Sequence, residues 1–192
     1  IGSHAYRNIL PCLHYLPVEL TAMCDFNREL LEKTAPEYGV SRTYTSTAEM
    51  YQQETELDAV FLCVSQQQHP RLACEAFDAG LHVWTEKPVA LRVADVEEMM
   101  RHQGDRVCVV GYKKAFMPGI RKARFLLEQE DTGPLKTVLG EFRVGFPAHG
   151  PEALEKNQAG SWLANGCHGI SAMLALAWLA FLIVGLGLYL AT

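Results

Sequence analysis

The stretch EAFDAGLHVWTEKP, residues 75–88, contains the end of a helix, a turn and a strand in direct succession. Gly80 stands where a helix C-cap belongs, and the apolar run that follows predicts a strand over 82–87. A lysine at the end of a strand is ordinarily a solvated cap, so the meaning of the final Glu-Lys-Pro depends on its surroundings. The helical face that precedes the turn consists of Leu72, Ala73, Ala76 and Phe77.

The same alternation of short apolar strands with amphipathic helices runs from residue 18 to residue 112. Strands connected by helices pair in parallel and are covered on both faces. We therefore predict an α/β fold, a Rossmann-type doubly wound parallel sheet. The predicted strands are 18–25, 42–46, 58–64, 82–87 and 106–112. Two further helices have apolar faces, which consist of Leu30, Leu31, Thr34 and Tyr38 in the first and of Val93, Val96, Met99 and Met100 in the second. Gly39 is a second predicted helix C-cap.

The pattern changes after Tyr112. Pro118 predicts the start of a helix that runs to about Glu130, and residues 135–146 are typical of one long strand. A polar loop over 147–160 follows. We predict two domains, a dinucleotide-binding domain at 1–111 and an incomplete α+β domain for substrate and oligomer contacts at 112–192.

The composition excludes some classes of protein. The net charge of −5 and the pI of about 5.8 provide no basic stripe, so nucleic acid is not an expected partner. The six cysteines form no CxxC motif and no metal-ligand spacing, which predicts reduced, mostly buried thiols and no metal site. The first residues lack a signal-peptide pattern, and we expect a cytoplasmic protein.

Residues 2–5 match the second half of the dinucleotide fingerprint GxGxxA, because Gly2 precedes Ala5 by three positions. Asp25 lies twenty residues beyond Ala5, where an acid accepts hydrogen bonds from ribose hydroxyls and repels a 2′-phosphate. Arg28 lies nearby and could accommodate a 2′-phosphate, so NADP remains an alternative cofactor. The first glycine and the first strand of the fold would precede residue 1, so we expect that strand to be missing from the sheet.

Pro11 conflicts locally with a helix after Gly2. Inside a helix it would remove a hydrogen bond and clash with the carbonyl of Arg7, at a cost of about 3 kcal/mol. We expect the helix either to begin late, near Asn8, or to bend.

Polar residues follow two of the predicted strands at the edge where doubly wound sheets bind ligands. Ser65, Gln66 and His69 come after the third strand, and Glu86, Lys87 and Pro88 come at the end of the fourth.

With these motifs in order, the chain resembles the glucose-fructose oxidoreductase/inositol dehydrogenase family, called Gfo/Idh/MocA. The matching segments cover about residues 1–176, and the AG-x-HV-x-x-EKP segment is specific to the family. They are GxxA at Gly2 to Ala5, CDFN at 24–27, VSQQQHP at 64–70, EAFDAGLHVWTEKP at 75–88 and VVGYKKAFMPGIRKA at 109–123.

The resemblance implies a site and a reaction. Lys87 would reach the substrate hydroxyl, Glu86 would lie near the nicotinamide ribose, and the Lys87–Pro88 bond would be cis. His168 would take the alcohol proton, unless it is a structural histidine at a helix start, while Lys87 stabilises the alkoxide. The implied cofactor is NAD or NADP; its contacts are Gly2, His4, Ala5, Asp25, Arg28, Ser65, Gln66, His69, Glu86, Lys87 and Pro88, and the substrate contacts are Lys113 and Asn165.

Departures from the family pattern keep alternatives open. Ala164 and Ser171 stand where relatives often carry acids, and Gln66 stands where a proline is usual. The implied function is hydride transfer between a nicotinamide cofactor and a sugar, polyol or related hydroxy compound, by a protein that is a homo-oligomer at full length. The alternatives are a non-catalytic dinucleotide or sugar sensor, and a tail-anchored membrane protein with a Rossmann head.

The tail at 169–192 carries no charge and is long enough to cross a bilayer. Three interpretations stand: a helix buried against an absent sheet, a membrane span, or sequence beyond a frame error. The part up to Trp178 fits the family helix after the histidine, whereas the remainder does not. No basic flank favours the membrane span. The chain is expected to be a fragment, truncated at both ends.

Overall fold

The computed structural model describes residues 1–129, 133, 135–141 and 166–177. The chain divides into two compact units, Ile1–Gly111 and Tyr112–Thr192.

The first unit is built from five short parallel strands with helices between them, which confirms the predicted fold class. Each strand is shorter than predicted, because only part of each predicted segment pairs with a neighbour. The strands are β1 (Ala22–Cys24), β2 (Arg42–Tyr44), β3 (Ala59–Leu62), β4 (His82–Thr85) and β5 (Cys108–Val110). The helices are α1 (Leu10–Leu13), α2 (Arg28–Thr34), α3 (Thr47–Gln53), α4 (His69–Asp78) and α5 (Val93–Gln103).

The strands form two separate sheets, β1-β2 and β3-β4-β5. Among the described residues, β1 and β3 each pair on one side only. The amino group of Ile1 lies between the ends of these two strands: it is ion-paired with Asp25 and is near Cys24 and Cys63. Burial lowers the pKa of this amino group. The beginning of the chain therefore occupies the position where the predicted first strand would end.

Two apolar clusters cover the sheets. One joins Leu62 and Val83 to the inner faces of α4 and α5, and the other joins Met23 to α2. The predicted face of α4 is confirmed, since its four residues are all buried. The predicted face of α5 is wrong in part: Met99 is buried, but Val93 is 75% exposed and Met100 is 66% exposed. One residue along a helix rotates the side chain by about 100°, which turns Met100 away from the contact with α4.

Local signals explain where the helices begin and end. The Asn27 side chain accepts a hydrogen bond from the Leu30 N–H at 3.1 Å and caps α2, and Ser46 caps α3 in the same way. Gly39 and Gly80 have φ of 69° and 81°, as expected of residues that end helices.

The segment that contains Pro11 is helical from residue 3 to residue 13. The predicted late start is therefore wrong. A π-type turn occupies Ala5–Ile9, directly before α1, and Pro11 lies in the first turn of α1. The wider turn accommodates the missing N–H of the proline without ending the helix.

In the second unit, a 3-10 turn at Lys113–Phe116 precedes α6 (Pro118–Gln129), which begins at the predicted proline. Residues 135–141 have no regular secondary structure, so the strand predicted over 135–146 is wrong for this part, and the remainder lies outside the described residues. A Cβ atom at Gly140 would lie 2.9 Å from the Met173 Sδ atom, so this segment packs closely on the helix α7 at 167–177. No strand partner for it lies among the described residues, and a strand needs one to pair its backbone groups.

In the described ranges, no helix has the length and apolar character that a membrane span requires. The tail after residue 177 lies outside those ranges. All six cysteines are free thiols; Cys12 is exposed and the other five are half-buried, so the prediction that most are buried is wrong in degree.

Candidate cofactor and catalytic site

A pocket of about 170 Å³ opens at the carboxyl ends of β3 and β4. It brings the turn after Gly2 together with the Glu-Lys-Pro loop, two segments separated by more than 80 residues in the chain. Its lining consists of Gly2, His4, Ala5, Cys63, Val64, Glu86 and Lys87.

Glu86 is the most constrained side chain of the pocket. Its N–H donates to the Leu62 carbonyl at 3.0 Å, which continues the pairing between β3 and β4. Its Oε1 atom lies 3.0 Å from the His4 Nε2 atom, and its Oε2 atom accepts the Lys87 N–H at 2.9 Å. The carboxylate is therefore engaged on both oxygens.

The Lys87–Pro88 bond is cis, as predicted. Lys87 is half-buried and lines the pocket, whereas Pro88 is buried beneath it. The Pro88 carbonyl oxygen lies 3.0 Å from the Nδ1 atom of His69.

Asp25 follows β1 and is held by its neighbours. Its N–H donates to the Tyr44 carbonyl at 3.1 Å, its Oδ1 atom accepts the Asn27 N–H at 2.9 Å, and its Oδ2 atom is ion-paired with the amino group of Ile1. Asp25 and Gly2, the two ends of the predicted fingerprint, are thereby brought close to each other. Arg28 is exposed at the start of α2.

The residues after β3 separate into two groups. Ser65 is exposed and Gln66 is half-buried, in a turn closed by the hydrogen bond from the Gln68 N–H to the Ser65 carbonyl at 2.9 Å. His69 is only 1% exposed and is absent from the pocket lining. Burial lowers the pKa of its imidazole. The structure thus places His69 at the buried start of α4 rather than in the wall of this pocket.

The remaining predicted residues belong to the second unit. Lys113 is exposed in the 3-10 turn. His168 is 6% exposed in α7, where its carbonyl accepts the Ser171 hydroxyl at 3.0 Å. Asn165 lies outside the described residues.

The sequence analysis missed Cys63 and Val64, which line the pocket, and Gly111, which lies beside Glu86. Cys63 and Val64 are the last residues of the predicted strand 58–64. This position at the carboxyl end of a strand could have identified them as pocket residues. Burial and then the charge of Glu86 raise the pKa of the Cys63 thiol to about 11, so this thiol is protonated at neutral pH. A Cβ atom at Gly111 would lie 3.0 Å from the Trp84 ring and 3.4 Å from the Glu86 Oε1 atom, so glycine allows both side chains to approach the end of β5.

A family model described as an oxidoreductase family with an NAD-binding Rossmann fold, Gfo/Idh/MocA, matches residues 2–113. Among similar proteins, 4-carboxy-2-hydroxymuconate-6-semialdehyde dehydrogenase of Sphingobium sp. is 32% identical over 103 residues, which are 53% of this chain and 32% of that protein. Myo-inositol 2-dehydrogenase of Thermotoga maritima is 28% identical over 116 residues, 59% of this chain and 34% of that protein.

Among solved structures, aldose-aldose oxidoreductase of Caulobacter crescentus, determined with glycerol, superposes with a TM-score of 0.79 at 26% identity. The match covers 92% of this chain and 55% of that one. The chain thus spans about a third of the length of the two similar proteins and about half of the solved structure.

Proposed function

The chain belongs to the Gfo/Idh/MocA family of oxidoreductases, whose Rossmann domain binds NAD. We propose that it is part of an NAD-dependent dehydrogenase that oxidises a hydroxyl group of a sugar, polyol or related compound. The observation that carries this proposal is the pocket that joins the turn after Gly2 to Lys87. In this arrangement one side of the pocket can hold a cofactor while the other supplies a positive charge.

The residues present fit the nucleotide. A Cβ atom at Gly2 would meet nothing within 4 Å. The space beside the Gly2 backbone is therefore open to the pocket, where a cofactor could approach it. The Asp25 carboxylate, held in place by Asn27, supplies acceptors for ribose hydroxyls. When bound, NAD supplies the hydride acceptor of the reaction.

Lys87 is the proposed electrostatic catalyst. Its ammonium group would stabilise negative charge on a substrate oxygen, and in a partly water-excluded pocket such an interaction is stronger than in bulk water. The Glu86 carboxylate accepts a hydrogen bond from the Lys87 backbone N–H and so helps to orient Lys87.

His168 is the proposed general base. Histidine is the side chain that most often takes a proton in general base catalysis. Its low exposure restricts it to a few orientations. Lys113 and Asn165 are proposed substrate contacts.

The proposed substrate class draws support from the names of similar proteins. Myo-inositol 2-dehydrogenase and aldose-aldose oxidoreductase both act on polyhydroxylated compounds, by their names. Neither a non-catalytic sensor nor a tail-anchored protein draws comparable support. A cytoplasmic location and a homo-oligomer remain predictions.

The proposal is tested by incubating the full-length protein with NAD and, in turn, myo-inositol, D-glucose and glycerol while NADH absorbance is followed. We expect NADH formation that requires both the protein and one of these compounds. NAD binding by calorimetry without NADH formation from any of them would favour the sensor instead.

A further inference from the structure

His69 and Pro88 are 19 residues apart in sequence, yet the His69 Nδ1 atom lies 3.0 Å from the Pro88 carbonyl oxygen. A carbonyl oxygen can only accept a hydrogen bond, so Nδ1 must be the donor. This contact therefore selects the ring tautomer that carries its proton on Nδ1. His69 begins α4, and the contact connects this helix to the loop that carries Lys87.

The second ring nitrogen makes no equivalent contact. The Val64 carbonyl lies near the ring, but no atom among the described residues meets hydrogen-bond geometry at the buried Nε2 atom. Burial lowers the pKa of the imidazole, which keeps the ring neutral at pH 7. Among the described residues, the Nδ1–H bond to Pro88 is thus the hydrogen bond of this ring with good geometry, and the Val64 carbonyl is a weaker partner.

The backbone around Lys87 is held from two directions. On its N-terminal side, the Glu86 Oε2 atom accepts the Lys87 N–H at 2.9 Å, and the Glu86 N–H is bonded to the Leu62 carbonyl at 3.0 Å. On its C-terminal side, the next carbonyl, that of Pro88, is held by His69. Without the histidine bond, the loop would keep its hydrogen bond to β3 and the apolar packing of Val89, but it would lose this hydrogen bond to α4.

We propose that His69 is a positioning residue whose Nδ1–H bond to the Pro88 carbonyl holds the backbone of Lys87 at the pocket. His69 itself contacts neither substrate nor cofactor in this role. The consequence for turnover rests on the function proposed above, whereas the bond and its effect on Lys87 can be observed without turnover.

Two substitutions of similar size separate this role from simple packing. The amide nitrogen of asparagine can occupy the position of Nδ1, whereas that of glutamine reaches the position of Nε2. His69→Asn keeps a donor for the Pro88 carbonyl, and His69→Gln fills more of the ring volume but moves the donor. If His69 only fills space, Gln should be the better replacement; if it tethers Pro88, Asn should be.

The first measurement uses the full-length protein with NAD and myo-inositol. We expect His69→Gln to lower kcat on the order of 10-fold to 100-fold with little change in the Kd for NAD, since small displacements of a catalytic group have effects of this size. His69→Asn should retain most of kcat. Equal losses in the two variants, or a larger loss in His69→Asn, would overturn the proposal.

The second measurement needs no turnover and so separates failure of this proposal from failure of the proposed function. Lysine side chains are dimethylated with ¹³C, and the Lys87 signal is assigned by its disappearance in Lys87→Arg. We expect this signal to shift in His69→Gln and to stay in place in His69→Asn. If both variants fold, a Lys87 signal that is unmoved in both would contradict the tether. In the unsubstituted protein, ¹⁵N spectra should show His69 neutral with its proton on Nδ1; a proton on Nε2 would contradict the tether, and this measurement does not depend on the folding of any variant.

Discussion

The Nε2 atom of His4 lies 3.0 Å from the Oε1 atom of Glu86, which gives the turn after Gly2 a direct polar contact with the loop that carries Lys87. The His4 Nδ1 atom lies 3.2 Å from the Asn8 amide nitrogen. A neutral His4 with its proton on Nε2 satisfies both contacts, because it donates to the carboxylate and accepts from the amide. The two halves of the proposed site are therefore joined by hydrogen bonding as well as by proximity.

Asp25 is expected to make the protein prefer NAD to NADP. A carboxylate beside the ribose repels a 2′-phosphate. Asp25→Asn should weaken NAD binding and reduce the preference, as measured by calorimetric titration of both cofactors. Glu29→Gln, which removes an exposed charge from the first turn of α2, is the matched control and should leave both affinities unchanged. Tighter binding of NADP by the unsubstituted protein would assign control of the pocket to Arg28.

His168→Ala is expected to lower turnover of the full-length protein on the order of 10²-fold or more, the loss typical of a general base. His14→Ala serves as the control, because His14 is exposed in the first unit. Rates measured with saturating NAD and substrate decide the question. An unchanged rate in His168→Ala would make His168 a structural residue of α7.

His102 connects α5 to α4 and should make stability depend on pH. Its Nδ1 atom lies 2.7 Å from the Asp78 Oδ1 atom, and its Nε2 atom lies 3.2 Å from the Glu98 Oε1 atom. Hydrogen bonds to Asp78 and then to Glu98 raise the pKa of the imidazole. The pKa of Glu98 is lowered, first by Arg101 and then by His102.

The two shifts define a pH window. The His102 contribution is complete below its ordinary pKa of 6.5 and is lost as pH rises through its higher folded value. The Glu98 contribution is complete above its ordinary pKa of 4.5 and is lost as pH falls through its lower folded value. His102→Gln should therefore lower Tm most between pH 4.5 and pH 6.5, the two ordinary pKa values, and least in alkaline buffer. High salt should reduce the difference in Tm between the variant and the unsubstituted protein. A Tm difference that grows with rising pH would contradict this assignment.

Within the part of the chain that the structure describes, β1 and β3 each pair on one side only, which leads to a prediction about residues 1–192 alone. Buried backbone groups without partners cost about 1–3 kcal/mol each, and a handful of them exceeds the 5–15 kcal/mol by which a domain is typically stable. We expect this chain to melt with low cooperativity and to bind NAD weakly. Fusing a short β-branched strand ending in glycine ahead of Ile1 should restore cooperative melting and a Tm that rises with NAD.

A fusion of equal length with two central prolines is the control, because proline cannot complete the ladder on both sides. Cooperative melting and NAD stabilisation of the unfused 192-residue chain would show that another segment fills the gap, or that Gly2 is wrongly placed in the fingerprint.

The elements that were predictable are those fixed by local chemistry. The buried face of α4 follows from its 3.6-residue period, and the turns at Gly39 and Gly80 follow from the left-handed conformation that glycine permits. The cis Lys87–Pro88 bond followed from the resemblance carried by the surrounding motif. Each of these features depends on residues that are close together in sequence.

The features that were mispredicted depend on tertiary contacts. Val93 and Met100 have the residue types of a core face, but the packing of α5 on α4 buries Met99 and leaves these two residues exposed. His69 follows a strand at the edge where doubly wound sheets bind ligands, but its burial beside Pro88 could not be predicted from its position in the sequence. The hydrophobic periodicity of the sequence predicts neither the packing of α5 on α4 nor the contact of His69 with Pro88.

The most direct test of the account is the comparison of turnover with NAD affinity in Lys87→Ala, using the full-length protein and the exposed Lys33→Ala as control. Lys87 is proposed to act on the substrate oxygen, and the turn after Gly2 and Asp25 are proposed to provide most of the NAD binding. Turnover should therefore fall to background while the Kd for NAD changes by no more than a few-fold. An equal loss of NAD binding, or turnover that survives the substitution, would contradict the assignment of Lys87 as the catalytic residue.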